Sequence, residues 1–274
     1  MDTGELISKM AYLCYSSSFI RTITITQEKG QKALRGNMHL FLRADSGNFK
    51  STILTELGDY FKVDRIELIT SAGLVGTIDK NMNAIPGECW RVRNKLLLLD
   101  EFNVEGDNNC IQPLLPLLED QMFKKSIGRM VIDMTEKDKD LFFQVKKGEL
   151  KVKTRFSCVI CSMKKIEKNR SINLNALLSR CIVIPYELRD DEIRDIMNGH
   201  KLLNIEKCQF KKPFDVHISR EDYKKIMDAV DSYPGLNVKK QYARTIGDCC
   251  RAFAVLGKHD FGVYFMITKL HQEA

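Results

Sequence analysis

The sequence predicts a three-layer α/β fold with a parallel sheet, followed by a small helical lid at the C-terminal end. Continuous apolar runs bounded by turns, such as 38–43 (MHLFLR), 96–100 (LLLLD) and 181–186 (CIVIPY), are typical of parallel strands covered on both faces. Segments with helical spacing alternate with these runs, as expected of an α/β arrangement. Beyond residue 188 the pattern is that of amphipathic helices, so we predict one domain over 1–188 and a second over 189–274.

The individual elements follow from spacing and from turn residues. In the first half we expect helical pieces around a β-rich stretch at 21–26. A strand at 38–43, a helix at 50–61 and two further strands at 65–70 and 96–100 follow. A helix over 108–123 contains Pro113 and Pro116, which are expected in its first turn or as breaks. Alternation over about 126–155 predicts an inserted basic β-hairpin that turns at Lys147–Gly148 and leads into the buried strand VICS. The lid is predicted to contain helices at 190–203, 221–233 and 241–256.

Composition excludes several classes of protein. The chain has 274 residues, 44% of them hydrophobic and 29% charged, so it is long enough for a core and too apolar for a disordered protein. No run approaches the roughly 18 apolar residues of a membrane span, and the N-terminus MDTGELISKM is acidic where a signal peptide is basic. We therefore expect a soluble cytoplasmic protein that has no membrane partner.

The nine cysteines predict buried thiols rather than a metal site or a disulfide framework. Cys158 and Cys161 are three residues apart in an apolar run, so a strand would send them to opposite faces. No second pair of Cys or His has zinc spacing. We expect reduced, mostly buried thiols and no metal site among them.

A phosphate-binding loop is the first candidate site. Segment 44–52 (ADSGNFKST) lies between a buried strand and a helix, and it contains Gly47, Lys50 and Ser51 in the order that such a loop requires. Ala44 and Phe49 stand where the consensus has glycine. The predicted nucleotide-binding residues are Ser46, Gly47, Asn48, Phe49, Lys50, Ser51 and Thr52.

A carboxylate pair is the second candidate. Asp100 and Glu101 leave the apolar strand LLLLDE together, at the strand end where a nucleotide hydrolase holds the Mg²⁺ shell and polarises water. The alternative is an ordinary strand end followed by a helix cap.

At this point the chain resembles the AAA+ ATPases, a class of P-loop NTPase, and more narrowly the ATPase core of MCM helicases. The segments that resemble that family occur in its order, and they are 35–52 (RGNMHLFLRADSGNFKST), 71–77 (SAGLVGT), 96–103 (LLLLDEFN), 117–128 (LLEDQMFKKSIG), 172–184 (INLNALLSRCIVI) and 242–257 (YARTIGDCCRAFAVLG). The resemblance implies an AAA+ fold with a helical lid, ATP and Mg²⁺ as ligands, and a homo-oligomeric ring, most simply a hexamer. By this resemblance we expect a minimal form of the family without its N-terminal DNA-binding domain.

The resemblance also implies a role for individual residues. Lys50 would bind the β- and γ-phosphates, and Ser51 would be a ligand of Mg²⁺. Asp100 would hold the water shell of the Mg²⁺, and Glu101 would activate the attacking water. Arg180 would be an arginine finger that reaches the nucleotide of a neighbouring subunit.

Two further positions complete the implied machinery. Arg244 would be the sensor arginine of the lid. Ser162 stands near the position where the family has its first sensor, usually an asparagine. This difference and the bulk of Phe49 leave open an interpretation in which nucleotide is bound but hydrolysed slowly or not at all.

A basic segment predicts the DNA contact. Between residues 121 and 155 there are ten Lys or Arg and five Asp or Glu, so +5 of the formal +7 lies there. By resemblance, Lys146, Lys147, Lys151 and Lys153 of the hairpin would face DNA in the ring channel. A merely exposed hairpin is the alternative. The loop with Trp90, Arg91 and Arg93 is a second candidate contact, for which core packing of Trp90 is the alternative.

The sequence therefore predicts an ATP-dependent DNA helicase or translocase of MCM type, acting on single-stranded or forked DNA together with replication proteins. Two other interpretations stay open. One is an ATP-regulated loader or remodeller of a protein partner. The other is a degenerate AAA+ protein that uses nucleotide only for assembly and DNA binding.

Overall fold

The structure is a computed structural model, and it describes residues 2–67, 69–79, 84–100, 108–126, 141–146, 149–163, 172–233 and 238–273. The helices are α1 (Thr3–Ser17), α2 (Lys50–Phe61), α3 (Ser71–Val75), α4 (Glu88–Arg91), α5 (Asn108–Asp120), α6 (Ile172–Leu178), α7 (Asp190–Met197), α8 (Arg220–Asp231), α9 (Val238–Leu256) and α10 (Phe261–Glu273). The strands are β1 (Ile20–Gln27), β2 (Gly30–Arg35), β3 (His39–Ala44), β4 (Arg65–Ile66), β5 (Gly76–Ile78), β6 (Ala84–Pro86), β7 (Leu96–Leu99), β8 (Met122–Ser126), β9 (Phe142–Lys146), β10 (Glu149–Lys153), β11 (Ser157–Met163), β12 (Ile182–Pro185) and β13 (Phe214–Ile218).

A five-stranded parallel sheet forms the centre of the fold, which confirms the predicted α/β class. Its order is β12-β3-β11-β7-β4, and every neighbouring pair is parallel. Strands β3, β7, β11 and β12 coincide with the predicted apolar runs. Strand β4 is shorter than the predicted 65–70, and Thr70 at the end of that range is the N-cap of α3.

The two faces of this sheet belong to separate apolar clusters. Alternate residues of one strand point to opposite faces, so Leu40 and Leu42 lie in one cluster and Phe41 in the other. Helices α1, α2, α9 and α10 contribute to the first cluster, and α5 and α6 to the second. Cys161 and Cys158 follow the same alternation, as predicted. All nine cysteines are free thiols, and eight of them are buried.

The order of the strands creates a topological switch point between β3 and β11. The chain leaves β3 towards α2, on the face of the first cluster, whereas the helix that follows β11, α6, packs on the second. Adjacent strands whose connections go to opposite faces leave a crevice at their carboxyl ends, and ligands of open α/β sheets bind in such crevices. Ala44 of β3 and Ser162 of β11 lie at this crevice, at the carboxyl ends of their strands.

A second sheet joins the N-terminal part to the C-terminal part. Its order is β13-β1-β2, and β13 pairs in parallel with β1. The sequence did not predict β13, because its alternating exposed and half-buried residues contain no apolar run. Helix α7 ends earlier than predicted, since Gly199, with φ +80, follows its last turn.

The predicted hairpin is present as β9 and β10, which pair antiparallel. Strand β8 extends it to a three-stranded sheet of order β8-β10-β9. The turn at Lys147–Gly148 lies outside the described residues. Helix α5 contains both Pro113 and Pro116, so the prediction that they break it or lie in its first turn was wrong.

Burial explains how α5 tolerates these prolines. The helix buries Ile111, Leu114, Leu117 and Leu118 in the second cluster, and this packing offsets the lost hydrogen bonds. In the described part of the chain, no helix has the length and apolarity needed to cross a membrane.

Candidate functional site

The loop between β3 and α2 contains two residues in the left-handed region of the backbone. Gly47 has φ +87 and Phe49 has φ +49, so the backbone twice enters the left-handed region within three residues. Turns of this kind point successive N–H groups inwards, and the start of α2 adds further unpaired N–H groups. The consensus has glycine at position 49 because this conformation costs other residues about 1 kcal/mol or more.

Packing of the Phe49 side chain offsets the energetic cost of its left-handed backbone conformation. Its half-buried ring contacts the first apolar cluster, and its carbonyl accepts the N–H of Ile53 at 3.0 Å in the first turn of α2. The crowding of phosphates that its size suggests is therefore reduced, since part of the ring is directed into the core.

Lys50 lies over the mouth of the loop. Its ammonium nitrogen donates to the carbonyl oxygens of Ala44, at 3.1 Å, and Asp45, at 2.8 Å. Among the described residues, no carboxylate pairs with Lys50, whose charge faces these two neutral acceptors at the carboxyl end of β3. Ser51 and Thr52 follow in the first turn of α2, both half-buried, and Ser46 is exposed in the loop.

Asn48 anchors the loop to the segment that follows β12. Its side-chain oxygen accepts the N–H of Leu188 at 2.8 Å, and its carbonyl accepts the hydroxyl of Tyr186 at 3.2 Å. Burial raises the pKa of Tyr186 far above its usual value, so the hydroxyl stays protonated and donates. Asn48 thus has a structural role in addition to its place in the predicted loop.

The carboxylate of Asp100 lies at the end of β7, and the residue is only 3% exposed. Arg65 Nη1 lies 3.2 Å from Asp100 Oδ2, and the same nitrogen donates to the backbone oxygen of Ser51 at 3.0 Å. Arg65 therefore connects the predicted Mg²⁺ carboxylate to the start of α2. Sequence reasoning missed Arg65, because its proximity to Asp100 follows from the pairing of β4 with β7.

The floor between these groups is formed by β11. Ser162 is buried at 4% exposure and is paired in register with Arg43 of β3, directly before the loop. Burial and the nearby charge of Asp100 raise the pKa of the Cys161 thiol, so it stays neutral beneath the site. The structure thus brings Lys50, Ser51, Asp100 and Ser162 to one edge of the sheet.

The predicted base, Glu101, lies outside the described residues. Within the described part of the chain, no group of three or more His, Cys, Asp or Glu side chains is placed to hold a metal ion. A Mg²⁺ ion at Ser51 and Asp100 would therefore need phosphate oxygens and water to complete its ligands, as is usual for this ion.

Arg180 and Arg244 lie together at the opposite edge of the sheet. Both line a cavity of about 220 Å³ whose wall includes His39, at the amino end of β3. Strand β3 rises about 3.3 Å per residue, so His39 and Ala44 are roughly 16 Å apart. This is beyond the reach of one arginine side chain, so the structure does not bring Arg180 or Arg244 to Lys50 of the same chain.

The arginines of this cavity are held in different ways. Arg180 forms an ion pair with Glu119, and its Nη1 donates to the carbonyl of Ala176 at 2.6 Å. Burial lowers the pKa of Arg244, and its Nη2 has no hydrogen-bond partner in the described residues. Arg244 thus retains unused donor capacity.

Two buried titratable groups complete the cavity wall. Burial, reinforced by the charge of Arg251, lowers the pKa of His39 to about 3, so its ring is neutral. Burial alone would raise the pKa of Asp248, but a 2.9 Å hydrogen bond with His271 and the charge of Arg251 hold it well below its usual value. Asp248 is therefore ionised and joins α9 to α10.

The predicted DNA-contacting residues are only partly described. Lys151 and Lys153 lie on β10 and are half-exposed, and Lys146 ends β9. Lys147 lies outside the described residues. Trp90 is 4% exposed within the second cluster, with the Arg93 guanidinium 4.8 Å from its ring, which favours core packing over a DNA contact.

Comparison with known proteins adds no family to this geometry. No protein-family model matches the sequence, and a search of curated proteins finds no significant match.

Proposed function

We propose that this chain is an ATPase of the AAA+ class, similar to the core of MCM helicases, which uses ATP and Mg²⁺ to move along DNA. On this proposal it works in replication as a homo-oligomeric ring, most simply a hexamer, on single-stranded or forked DNA and beside other replication proteins. The α/β fold with its parallel sheet is compatible with the proposal, and the site residues are of the types that bind phosphate and Mg²⁺.

The observation that carries the proposal is the convergence at the carboxyl edge of the sheet. A turn with two left-handed residues leads into α2, Lys50 stands over it, and Asp100 and Ser162 lie on neighbouring strands of the same edge. Phosphate, Mg²⁺ and an attacking water are the species that such a set of groups binds. The location at the topological switch point supports the same conclusion.

The location of Arg180 supports the ring. An arginine that lies at the amino edge of its own sheet serves a phosphate only if that phosphate belongs to another subunit. A head-to-tail contact between the two edges repeats from subunit to subunit, and such contacts close into rings when the rotation permits.

The first experiment measures ATP turnover of the full chain with and without single-stranded DNA. Lys50→Ala is expected to reduce turnover to the background of the assay, because it removes the charge that binds the phosphates. Lys212→Ala, which removes an exposed lysine elsewhere, is the matched control and is expected to match the wild type. DNA-stimulated turnover that survives Lys50→Ala would refute the assignment of the site.

A second function, nucleotide binding without hydrolysis, is favoured by one observation. Arg65 pairs with the buried carboxylate of Asp100, and a guanidinium at this place competes with the Mg²⁺ shell. If this pair persists with nucleotide bound, Arg65→Gln should increase Mg²⁺-dependent turnover. If nucleotide displaces Arg65, the same substitution should leave turnover unchanged or lower it, and hydrolysis by the wild type should exceed that of Glu101→Gln.

Strand displacement separates the helicase from the loader or remodeller. The isolated protein is mixed with a forked duplex and ATP, and the released strand is quantified. Unwinding that depends on Lys50 supports the helicase. DNA-stimulated turnover without any unwinding or translocation would favour the loader.

A further inference from the structure

We propose that His39 is a proton-coupled ligand of a tetrahedral oxyanion, of phosphate or sulfate type, that enters the cavity at the amino edge of the five-stranded sheet. As the ion arrives, His39 takes up a proton and becomes one of its donors. His39 has no part in the proposed function, so this role goes beyond it and can fail separately. The ion is either free in solution or a phosphate group presented by a neighbouring subunit, and the experiment below separates the two sources.

His39 is a buried side chain with unused hydrogen-bonding capacity. It is the first residue of β3, it is 5% exposed, and it lines the cavity. Neither Nδ1 nor Nε2 of its ring forms a hydrogen bond with any residue that the structure describes. Buried polar groups are nearly always paired, so two unpaired nitrogens on one ring indicate a partner that comes from outside the described chain.

The charge of the cavity wall indicates that this partner is an anion. Four arginines line the cavity against two carboxylates. Three of the arginines are ion-paired, namely Arg35 with Asp120 at 2.9 Å, Arg180 with Glu119, and Arg251 with Asp248 at 2.7 Å. Arg244 has no ion pair with a described residue, and its Nη2 is buried without a hydrogen bond. Water would satisfy the hydrogen bond of Arg244, but only an anion balances its charge as well.

The size of the cavity limits the partner to a small ion. Its volume of about 220 Å³ equals the share of about seven molecules of liquid water. Pockets for drug-sized ligands begin at roughly 300 Å³. A tetrahedral oxyanion with a few waters fits such a space, whereas a whole nucleotide does not.

The protonation of His39 is tied to the anion by electrostatics. Burial, followed by the charges of Arg251 and Arg35, lowers the pKa of His39 to about 3, while the backbone of Leu118 and the charge of Asp248 act weakly in the other direction. An oxyanion beside the ring opposes the effect of the arginines and so raises this pKa. A neutral imidazole has one N–H and an imidazolium has two, so the proton also adds a donor. Because the ion raises the pKa of His39, the affinity for the ion increases as the pH falls.

The other charged groups around His39 do not produce this dependence. Arginines keep their charge over the whole range. Asp248 stays ionised, since both of its oxygens are engaged, one by Arg251 and one by His271. His271 is a second imidazole near the cavity, so the experiment has to distinguish it from His39. The charged or titratable groups that the described elements place around His39 are Arg35 of β2, Glu119 of α5, Arg180 after α6, Arg244, Asp248 and Arg251 of α9, and His271 of α10.

The experiment titrates sodium sulfate into the full chain by calorimetry at constant ionic strength, from about pH 8 to about pH 5.5, around the ordinary pKa of histidine. Each titration is run in two buffers with different heats of ionisation, so that the difference in heat counts the protons taken up. Sulfate keeps two negative charges over this range, so every proton goes to the protein. The wild type is expected to take up a fraction of a proton per sulfate that increases, up to about one, as the pH falls.

Two pairs of variants assign the proton and the ion. His39→Gln keeps a hydrogen-bond donor but cannot take up the proton, so it should bind sulfate without proton uptake. His200→Gln removes an exposed imidazole and should match the wild type. Arg244→Gln should weaken sulfate binding by about tenfold or more, the value of a charge-assisted hydrogen bond, whereas Arg194→Gln, on the exposed surface of α7, should not.

A further arm separates the two sources of the ion. Proton uptake with sulfate that persists in Lys50→Ala belongs to the cavity and not to the loop at the carboxyl edge, and it supports a free ion. The titration is then repeated with Mg²⁺ and an ATP analogue that cannot be hydrolysed. Proton uptake seen only with this analogue, and lost in both Lys50→Ala and His39→Gln, supports a phosphate group from a neighbouring subunit.

Three results would overturn the role of His39. In the first, the wild type takes up no proton with either sulfate or the analogue, a result that is decisive even where a variant does not fold. In the second, proton uptake survives in His39→Gln, which would assign it to His271. In the third, Arg244→Gln and Arg194→Gln bind sulfate equally well. ATP turnover that survives Lys50→Ala refutes the proposed function instead and leaves the role of His39 intact, since the sulfate titration uses no nucleotide.

Discussion

Subunits that lack Lys50 and subunits that lack Arg180 are expected to complement each other. The two residues lie at opposite edges of the five-stranded sheet, with roughly 16 Å between the ends of β3, so one chain cannot apply both to one nucleotide. On the proposed function, a Lys50→Ala subunit loses the nucleotide site but keeps Arg180. In an Arg180→Ala subunit the reverse is true.

The size of the effect follows from counting interfaces. An arginine finger contributes about 10³–10⁵ in rate in other NTPases, so each variant alone should be nearly inactive. In a random equal mixture, about one quarter of the interfaces of a head-to-tail ring combine an intact nucleotide site with an intact Arg180. ATP turnover per subunit should therefore recover to about one quarter of the wild-type value, provided that interfaces act independently.

The assay requires assemblies that are known to be mixed. The two variants carry different affinity tags, are co-expressed, and are purified through both tags in succession. Assemblies that mix Arg180→Ala subunits with wild-type subunits, and that are purified in the same way, serve as the positive control. If the doubly purified assembly is no more active than either variant alone, or if no such assembly is recovered, Arg180 does not act between subunits.

Three stability predictions are tested by urea unfolding. Asp248→Asn should lower the free energy of unfolding by about 3 kcal/mol at neutral pH. Because the pKa of Asp248 is depressed, this difference from the wild type should shrink only as the pH falls below about 4. His39 has a lowered pKa, so the stability it contributes is present above about pH 6.5 and is lost as the pH falls towards 3. His39→Leu should flatten that part of the profile, and an unchanged slope would contradict the assignment. Gly58→Ala places a methyl group 2.8 Å from the carbonyl of Val63 and should lower the free energy of unfolding by about 1–3 kcal/mol. The methyl group of Gly247→Ala, also within a helix, meets only a flexible side chain, so this variant should be more stable by up to about 1 kcal/mol.

The parts of the fold that were predictable are those in which local pattern and burial agree. Helix α2 has the predicted bounds, because its apolar spacing starts directly after the loop and ends where Lys62 takes a left-handed conformation. Strand β13 could not be predicted, since it is an exposed strand whose stability comes from pairing with β1 near the other end of the chain. Register between distant segments is not a property of either segment alone.

The same distinction applies to the candidate site. Spacing along the chain was sufficient to select Lys50 and Asp100, because Lys50 begins the helix that follows one buried strand and Asp100 directly follows another. The partners of these residues depend on which strands are neighbours, so Arg65 was missed. The proximity of Arg244 to Arg180 was likewise not predicted, because it depends on how α9 packs against the rest of the fold.

The sheet β8-β10-β9 and the candidate nucleotide site are joined by a short and well-buried connection. Residues 154–156 lead from β10 directly into β11, the strand that carries Ser162. Thr154 is fully buried, its hydroxyl donates to the carbonyl of Cys89 at 2.9 Å, and its N–H donates to the carbonyl of Gln121 at 3.0 Å. Since β8 begins right after Gln121, both Lys124 and Lys151 are fixed relative to β11. Two hydrogen bonds of a buried residue thus hold the connection between β10 and β11, and a site at the carboxyl end of β11 needs a rigid support of this kind.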